Sequence, residues 1–118
     1  MIKPFKTTLL DQHLRKKRQE NEKSRQQTLK QLLRSLPQLA TRYGFERAYV
    51  FGSLTKKGRF RKNSDVDVAV EGLSDEKYFT FMAELSDLMG REVDVVQIER
   101  HHLKERVIES GIEWKKNA

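Results

Sequence analysis

The sequence predicts an α+β (α/β) domain in which a small β-sheet is flanked by helices. Three observations support this fold class. Residues 65–70 alternate between the two sides of an extended chain, which is the period of a half-buried strand. Residues 45–51, which end in the short apolar run 48–51, and residues 92–98 have the length of strands. Residues 79–89 place apolar side chains three and four positions apart, which is typical of a helix.

The N-terminal segment carries the basic character of the chain. Residues 1–36 contain ten Lys and Arg against three acidic residues, an excess equal to the formal net charge of +7 of all 118 residues. We therefore divide the chain into a basic N-terminal helical extension, residues 1–36, and a compact domain, residues 37–118. Such a basic helix binds nucleic acid, binds an acidic protein or is simply solvated.

A long helix is predicted from the Thr8-Leu9-Leu10-Asp11 start to Leu36, because neither Gly nor Pro interrupts this stretch. Its first two-thirds have few apolar residues and are expected to project from the domain. Its last turns are expected to pack onto the domain through leucines at helical spacing, namely Leu29, Leu32, Leu33 and Leu36. An alternative interpretation splits the helix near Asn21–Ser24.

The elements of the domain follow in order. Pro37 ends the long helix or begins a short one that reaches Tyr43, with Gly44 at its C-cap. A first strand ends at Gly52-Ser53, and a second strand begins near Asp65.

The second half of the domain again alternates helices with a strand. A helix begins after Ser74 and closes at Gly90, and a third strand follows. The last helix, about His102–Ser110, is expected to bury three apolar side chains: Leu103, Val107 and Ile108. Residues 111–114 form a short terminal segment.

Asp65 and Asp67 project from the same face of the second strand, while the valines between and after them project from the other. Two neighbouring carboxylates repel each other and are costly to bury unpaired. Carboxylate oxygens are natural ligands of Mg²⁺, so a divalent cation between them is the functional interpretation. The alternative is a solvent-facing strand edge with two ordinary acids.

The pattern Gly52-Ser53, eleven residues, then Asp65-Val66-Asp67 resembles the signature of the DNA polymerase β-like nucleotidyltransferase superfamily. The chain is most similar to the minimal nucleotidyltransferases, small members often encoded as the antitoxin beside a HEPN-domain toxin. The resemblance extends from about Pro37 to Trp114. It implies a mixed sheet of about three to four strands, the nucleotidyltransferase fold, and a minimal nucleotidyltransferase domain at residues 37–118.

The resemblance also implies roles for individual residues. Asp65, Asp67 and Asp94 would be the catalytic residues and would hold Mg²⁺, as two ions, with Asp94 also able to receive a proton. Gly52 and Ser53 would bind the phosphates of ATP, the substrate.

The spacer between the two motifs is strongly basic. Lys56 and Lys57 are assigned to nucleotide binding, and the spacer also contains Arg59, Arg61 and Lys62. These cations could neutralise a triphosphate, hold an acidic polymer or partner, or form a solvated loop. In many minimal nucleotidyltransferases a small residue and then Arg-Gly follow soon after Gly-Ser. The corresponding stretch after Gly52-Ser53 is slightly longer here, and this departure concerns the loop that would bind phosphate.

The leading functional hypothesis is transfer of AMP from ATP to a hydroxyl on a protein partner, by resemblance a tyrosine of a HEPN-type toxin. One alternative is a non-catalytic antitoxin that neutralises its partner by docking. Another is nucleic-acid binding through the basic N-terminal helix, although residues 1–36 show no helix-turn-helix pattern.

The composition of the chain favours one cellular compartment over others. There is no cysteine, and no apolar run has the roughly eighteen residues of a membrane span. We therefore predict a cytoplasmic protein without a membrane partner.

Overall fold

The computed structural model describes residues 5–117, with side chains from Thr8 onward. The helices are α1 (Phe5–Tyr43), α2 (Asp75–Met89) and α3 (Lys104–Ser110). The strands are β1 (Arg47–Phe51), β2 (Val66–Glu71), β3 (Val93–Gln97) and β4 (Ile112–Lys115). Two short 3₁₀ turns, Gly52–Thr55 and Ile98–Arg100, follow β1 and β3.

The strands of the described residues form one mixed sheet in the order β3-β2-β1-β4. β1 pairs antiparallel with both β2 and β4, whereas β2 and β3 are parallel. The parallel pair is joined by α2, which is the crossover that a parallel connection requires. The predicted α+β fold with a small mixed sheet is therefore confirmed.

The main core lies between one face of the sheet and helices α1 and α2. Val66, Val68 and Val70 of β2 are all buried on this face, as their alternation predicts. The helices contribute leucines and aromatic rings, chiefly Leu32, Leu36, Leu39, Phe81 and Leu85. This packing fixes the orientation of β2 and thereby sends its odd-numbered residues to the opposite face.

The opposite face of the sheet is covered only in part. Tyr49, Ala69, Ile98 and Val107 form a second, smaller buried cluster between the sheet and α3. Asp67 lies on this same face, two residues from Ala69, and is half-buried.

Helix α1 is longer than predicted. It is already helical at Phe5, ahead of the expected start at Thr8, and it passes through Pro37 to Tyr43. The prediction that Pro37 ends the helix is wrong, and the split near Asn21–Ser24 does not occur. Proline removes one helical hydrogen bond, but the buried leucines before and after Pro37 keep both halves on the core.

Two other features of α1 agree with the sequence. Gly44, at φ +82°, ends the helix, and its N–H donates to the Ala40 carbonyl at 2.8 Å. Residues 8–20 are exposed throughout, and the molecule measures 65 × 28 × 24 Å, so the first part of α1 projects. The division of the chain at residue 36 stays a prediction, and the helix crosses that position without a break.

The C-terminal region differs from the prediction in two ways. α3 begins at Lys104, and it buries Val107, whereas Leu103 and Ile108 are each 40% exposed. The segment after α3 is the edge strand β4, which pairs with β1. Its sequence is too short to show an alternation, and only its partner strand makes it a strand.

Along α2 the apolar face is narrower than predicted, because Phe79 and Leu88 are exposed. None of the helices in the part of the chain that the structure describes is long and apolar enough to cross a bilayer.

Candidate active site

Two of the predicted carboxylates lie side by side because β2 and β3 are parallel. Asp67 and Asp94 are directly opposite each other in the register of this pair. Asp65 lies just before β2, two positions from Asp67, and therefore projects to the same side. The structure thus brings all three predicted residues to one corner of the sheet.

The Gly52–Thr55 turn begins at this corner. Phe51, the last residue of β1, pairs with Asp67, so the chain leaves the sheet beside the Asp67 carboxylate. A Cβ at position 52 would lie 2.3 Å from Asp67 Oδ2, and Gly52 has φ +77°. A residue other than glycine would be strained there and would displace the carboxylate. The close approach explains physically why Gly precedes the acidic motif.

The electrostatics of the corner centre on Asp67, which is half-buried, whereas Asp65 and Asp94 are exposed. Burial, with repulsion from the Asp94 and Asp65 carboxylates, raises the pKa of Asp67 from 3.8 to about 6. The three carboxylates therefore share one negatively charged environment, which a cation would relieve. Among residues 8–117, however, no three His, Cys, Asp or Glu side chains are gathered closely enough to hold one metal ion as they stand.

The turn itself is held by its own hydrogen bonds. Thr55 Oγ1 donates to the Gly52 carbonyl at 2.8 Å, and the Lys56 N–H donates to the Ser53 carbonyl at 3.1 Å. Leu54 is buried and anchors the turn, while Ser53 is half-buried and Lys56 and Lys57 are exposed. Gly52 and Ser53 are therefore beside the carboxylates, and the two lysines follow at the surface.

One contributor to the site was missed at the level of sequence. Arg25 of α1 donates from Nη1 to the Leu54 carbonyl at 3.1 Å. Its Nε and Nη2 donate to the two oxygens of Glu22 at 2.8 and 2.7 Å. This bidentate pair holds the guanidinium against the turn, and it lowers the pKa of Glu22 to about 2. The i, i+3 spacing is visible in the sequence, but the contact with a turn 29 residues away is not.

A second arginine holds the end of the spacer. Arg91 Nη1 donates to the Ser64 carbonyl at 2.9 Å, and the guanidinium lies 4.5 Å from the centre of the Phe60 ring. Phe60 is buried in the main core. The chain therefore enters β2 at a defined position just before Asp65.

The geometry can be compared with known proteins. Residues 19–116 match the family model described as "Polymerase beta, Nucleotidyltransferase". The chain belongs to this family. All of the site residues described above lie within the match, which begins inside α1 and not at Pro37. Residues 8–18 of α1 precede it.

Several solved structures share the fold. A protein described as a minimal nucleotidyltransferase is 28% identical, with a TM-score of 0.63 over 73% of this chain and 92% of that chain. A toxin-antitoxin structure with AMP-PNP is 22% identical, with a TM-score of 0.61 over 72% and 74% of the two chains. The toxin-antitoxin MntA-HepT structure is 20% identical, with a TM-score of 0.55 over 72% and 71%. The curated proteins give no match.

Proposed function

We propose that this nucleotidyltransferase family member transfers AMP from ATP to a hydroxyl on a protein partner, in a reaction that depends on Mg²⁺. The observation that carries the proposal is that Asp67 and Asp94 lie directly opposite each other on neighbouring strands. Beside them is a turn whose first position, Gly52, leaves no room for a side chain. A cluster of carboxylates beside backbone N–H groups is suited to a metal-bound triphosphate.

The residues fit a divalent cation. Asp65, Asp67 and Asp94 offer carboxylate oxygens. Burial raises the pKa of Asp67, and repulsion from the Asp94 and Asp65 carboxylates raises it further; a bound cation would offset this repulsion. Because no three such groups already converge, binding requires their side chains to draw together. Mg²⁺ bound there, as two ions, would neutralise charge on the attacking and leaving oxygens.

The protein's own groups would then position the reactants. Gly52 and Ser53 receive the phosphates through the turn, and Lys56 and Lys57 offset their charge from its outer side. The acceptor oxygen attacks the α-phosphorus, the bond to the β-phosphate oxygen breaks, and pyrophosphate leaves with that electron pair. Asp94, exposed at the corner, accepts the proton that the hydroxyl releases.

The neighbours support a particular biological setting. Two structures with this fold are toxin-antitoxin assemblies, and one of them contains AMP-PNP, an ATP analogue. We therefore propose that the chain is a cytoplasmic antitoxin, and that the acceptor hydroxyl belongs to a HEPN-type toxin.

Labelled ATP tests the proposal directly. The purified chain is incubated with Mg²⁺, α-³²P-ATP and the product of the adjacent gene. We expect label on that protein, and none with Asp65→Ala/Asp67→Ala or with EDTA. The matched control is Glu76→Ala/Asp87→Ala, which removes two exposed acids from α2 and should leave transfer unchanged. Equal labelling by the intact chain and the Asp65/Asp67 variant would contradict the assignment.

Docking without catalysis is the second candidate, because no three acidic or His side chains of residues 8–117 stand close enough together to hold one metal ion without moving. It predicts that the Asp65/Asp67 variant binds and neutralises the partner as well as the intact chain, with no label transferred by either.

A further inference from the structure

The side of α1 that packs against the core continues along the helix toward its N-terminus, past the point where the core ends. Leu32 is buried in the core, and Leu14 lies eighteen positions before it, which is about five turns at about 3.6 residues per turn. Leu14 therefore lies on the same side of the helix as Leu32, but it is 45% exposed, and Leu10, one turn further, is 55% exposed. The core-facing side of the helix thus presents apolar side chains where the core has ended.

The spacer loop, residues 56–64, stands beside this stripe and forms a groove with it. The groove has a volume of about 300 Å³ and lies between α1 and the spacer. We name it the α1–spacer groove, and its lining residues are Leu14, Lys17, Arg18, Asn21, Gly58 and Arg61.

The lining has a definite chemistry. Three of its side chains are cations, and none is acidic among the residues that line it. Lys17, Arg18 and Arg61 are exposed and converge from two different elements. Leu14 supplies an apolar floor between them, which Leu10 extends along the helix.

We propose that the α1–spacer groove binds an acidic amphipathic helix of a protein partner. Leucines of that helix would cover Leu10 and Leu14, and its carboxylates would pair with Lys17, Arg18 and Arg61. The contact stripe from Leu10 to Asn21 is about 16 Å long at about 1.5 Å per residue, which matches about three turns of a docked helix.

The observations favour this occupant over two others. A second copy of the chain would bring its own excess of cations to the groove, and like charges repel. A nucleic acid would satisfy the cations through its phosphates, but it would gain little from two half-exposed leucines. An apolar stripe between cations is instead complementary to a helix with leucines flanked by acids.

The inference goes beyond the proposed function and does not depend on it. Leu14, Lys17 and Arg18 precede residue 19, where the family match begins, so the groove is partly built from sequence outside that match. Its ligand is recognised by charge and apolar contact, with no role for the Asp65, Asp67 and Asp94 carboxylates. Binding can therefore succeed while nucleotidyl transfer fails, and the reverse.

The test measures fluorescence anisotropy of a labelled sixteen-residue peptide with leucines at helical spacing and glutamates elsewhere. We expect saturable binding to the full chain, weakened at least tenfold by Leu10→Ser/Leu14→Ser and by Lys17→Glu/Arg18→Glu. Both pairs are exposed, so the variants should keep the fold, which circular dichroism verifies. Asp65→Ala/Asp67→Ala should bind the peptide as the intact chain does.

The matched control is Lys16→Glu/Lys23→Glu. It makes the same change of net charge on α1, but both lysines are exposed on the side of the helix away from Leu14. We expect it to weaken binding by less than about threefold, because charges separated by more than a Debye length are largely screened.

Four outcomes would overturn the inference. One is no binding of the peptide, and another is an equal loss of affinity in the control and the Lys17/Arg18 variant. The third is equal binding of a leucine-free glutamate peptide. The fourth is preferential binding of a labelled twenty-nucleotide RNA that the leucine variant does not affect. That last result would assign the groove to polyanions in general.

Discussion

The carboxylate corner and the projecting part of α1 are two surfaces of the molecule that are held in place in different physical ways. At the corner, Gly52, Asp67 and Asp94 are held by strand register and by the core beneath the sheet. Along residues 8–20 of α1 every side chain is exposed, and no core contact holds it. The properties of the corner therefore depend on how its side chains are placed relative to one another, whereas those of the projecting helix depend on which side chains it exposes. Substitutions on the two surfaces should therefore have different effects on stability and on nucleotidyl transfer.

The largest difference should appear in stability. Leu36→Ala removes a fully buried side chain of the main core, and we expect it to lower the free energy of unfolding by about 2–5 kcal/mol. Leu14→Ala, on the same helix but half-exposed, should change it by less than about 0.5 kcal/mol. Urea denaturation followed by circular dichroism measures both. Similar losses would mean that the projecting part also packs against the domain.

The next effect concerns the turn. Gly52→Ala places a Cβ 2.3 Å from Asp67 Oδ2, and we expect nucleotidyl transfer to fall about 100-fold or more, since misplacement by about 1 Å can cost that much. Gly58→Ala is the matched control, because Gly58 has a similar φ of +84° but nothing within 4 Å of the added Cβ. It shares the backbone strain of about 1–2 kcal/mol without the contact. Equal losses of transfer in both would show that strain, not crowding of Asp67, is responsible.

A smaller effect should follow from loosening the turn at α1. Arg25→Ala removes the donor to the Leu54 carbonyl, and we expect KM for ATP to rise about tenfold, which is about 1.4 kcal/mol. Amide hydrogen exchange at residues 52–58 should become faster, and this readout does not require activity. Lys23→Ala, an exposed change on α1, is the control. Unchanged exchange at the turn would contradict the positioning role of Arg25.

The smallest effect concerns pH. The pKa of Asp67 is raised from 3.8 to about 6 by burial and by two like charges, so the folded state binds this proton more tightly than the unfolded state. Its contribution to stability is fully present below pH 3.8 and is lost as pH rises through about 6.

Asp67→Asn should therefore flatten the pH dependence of unfolding between these values. At pH 7.5 in EDTA the variant should be more stable than the intact chain by about 1 kcal/mol, a figure reduced for solvent screening. Asp87→Asn, an exposed acid of α2, should change neither. Thermal denaturation at several pH values gives the comparison, and a destabilised Asp67→Asn would contradict the repulsion inferred at the corner.

Much of the corner could be predicted from local sequence. The alternation at residues 65–70 predicted β2 and the side to which Asp67 projects, because the period of a strand is two. Gly90 predicted where α2 stops, and Gly44 predicted the end of a short helix that is in fact the last part of α1. The projecting basic helix was also predictable, from the scarcity of apolar residues before Leu29.

The sequence predictions were wrong where contacts between segments distant in the sequence determine the structure. Pro37 is a helix-breaking residue locally, but burial of leucines on both sides of it outweighs one lost hydrogen bond. β4 exists because β1 offers an unpaired edge beside it. Leu103 and Ile108 were expected to be buried, yet a two-turn helix covers only a small part of the sheet and buries Val107.

The sequence alone determined the periodic elements, the charge imbalance and the Gly-Ser and Asp-x-Asp motifs, because each can be recognised from the residue types of one continuous segment. Only the tertiary structure decided that Asp94 stands opposite Asp67, that Arg25 reaches the Leu54 carbonyl, and that Leu14 faces the spacer loop beyond the core. These pairings join residues 27, 29 and 44 or more positions apart. They form when apolar faces of separate elements pack together, and no local period specifies which residues will then meet.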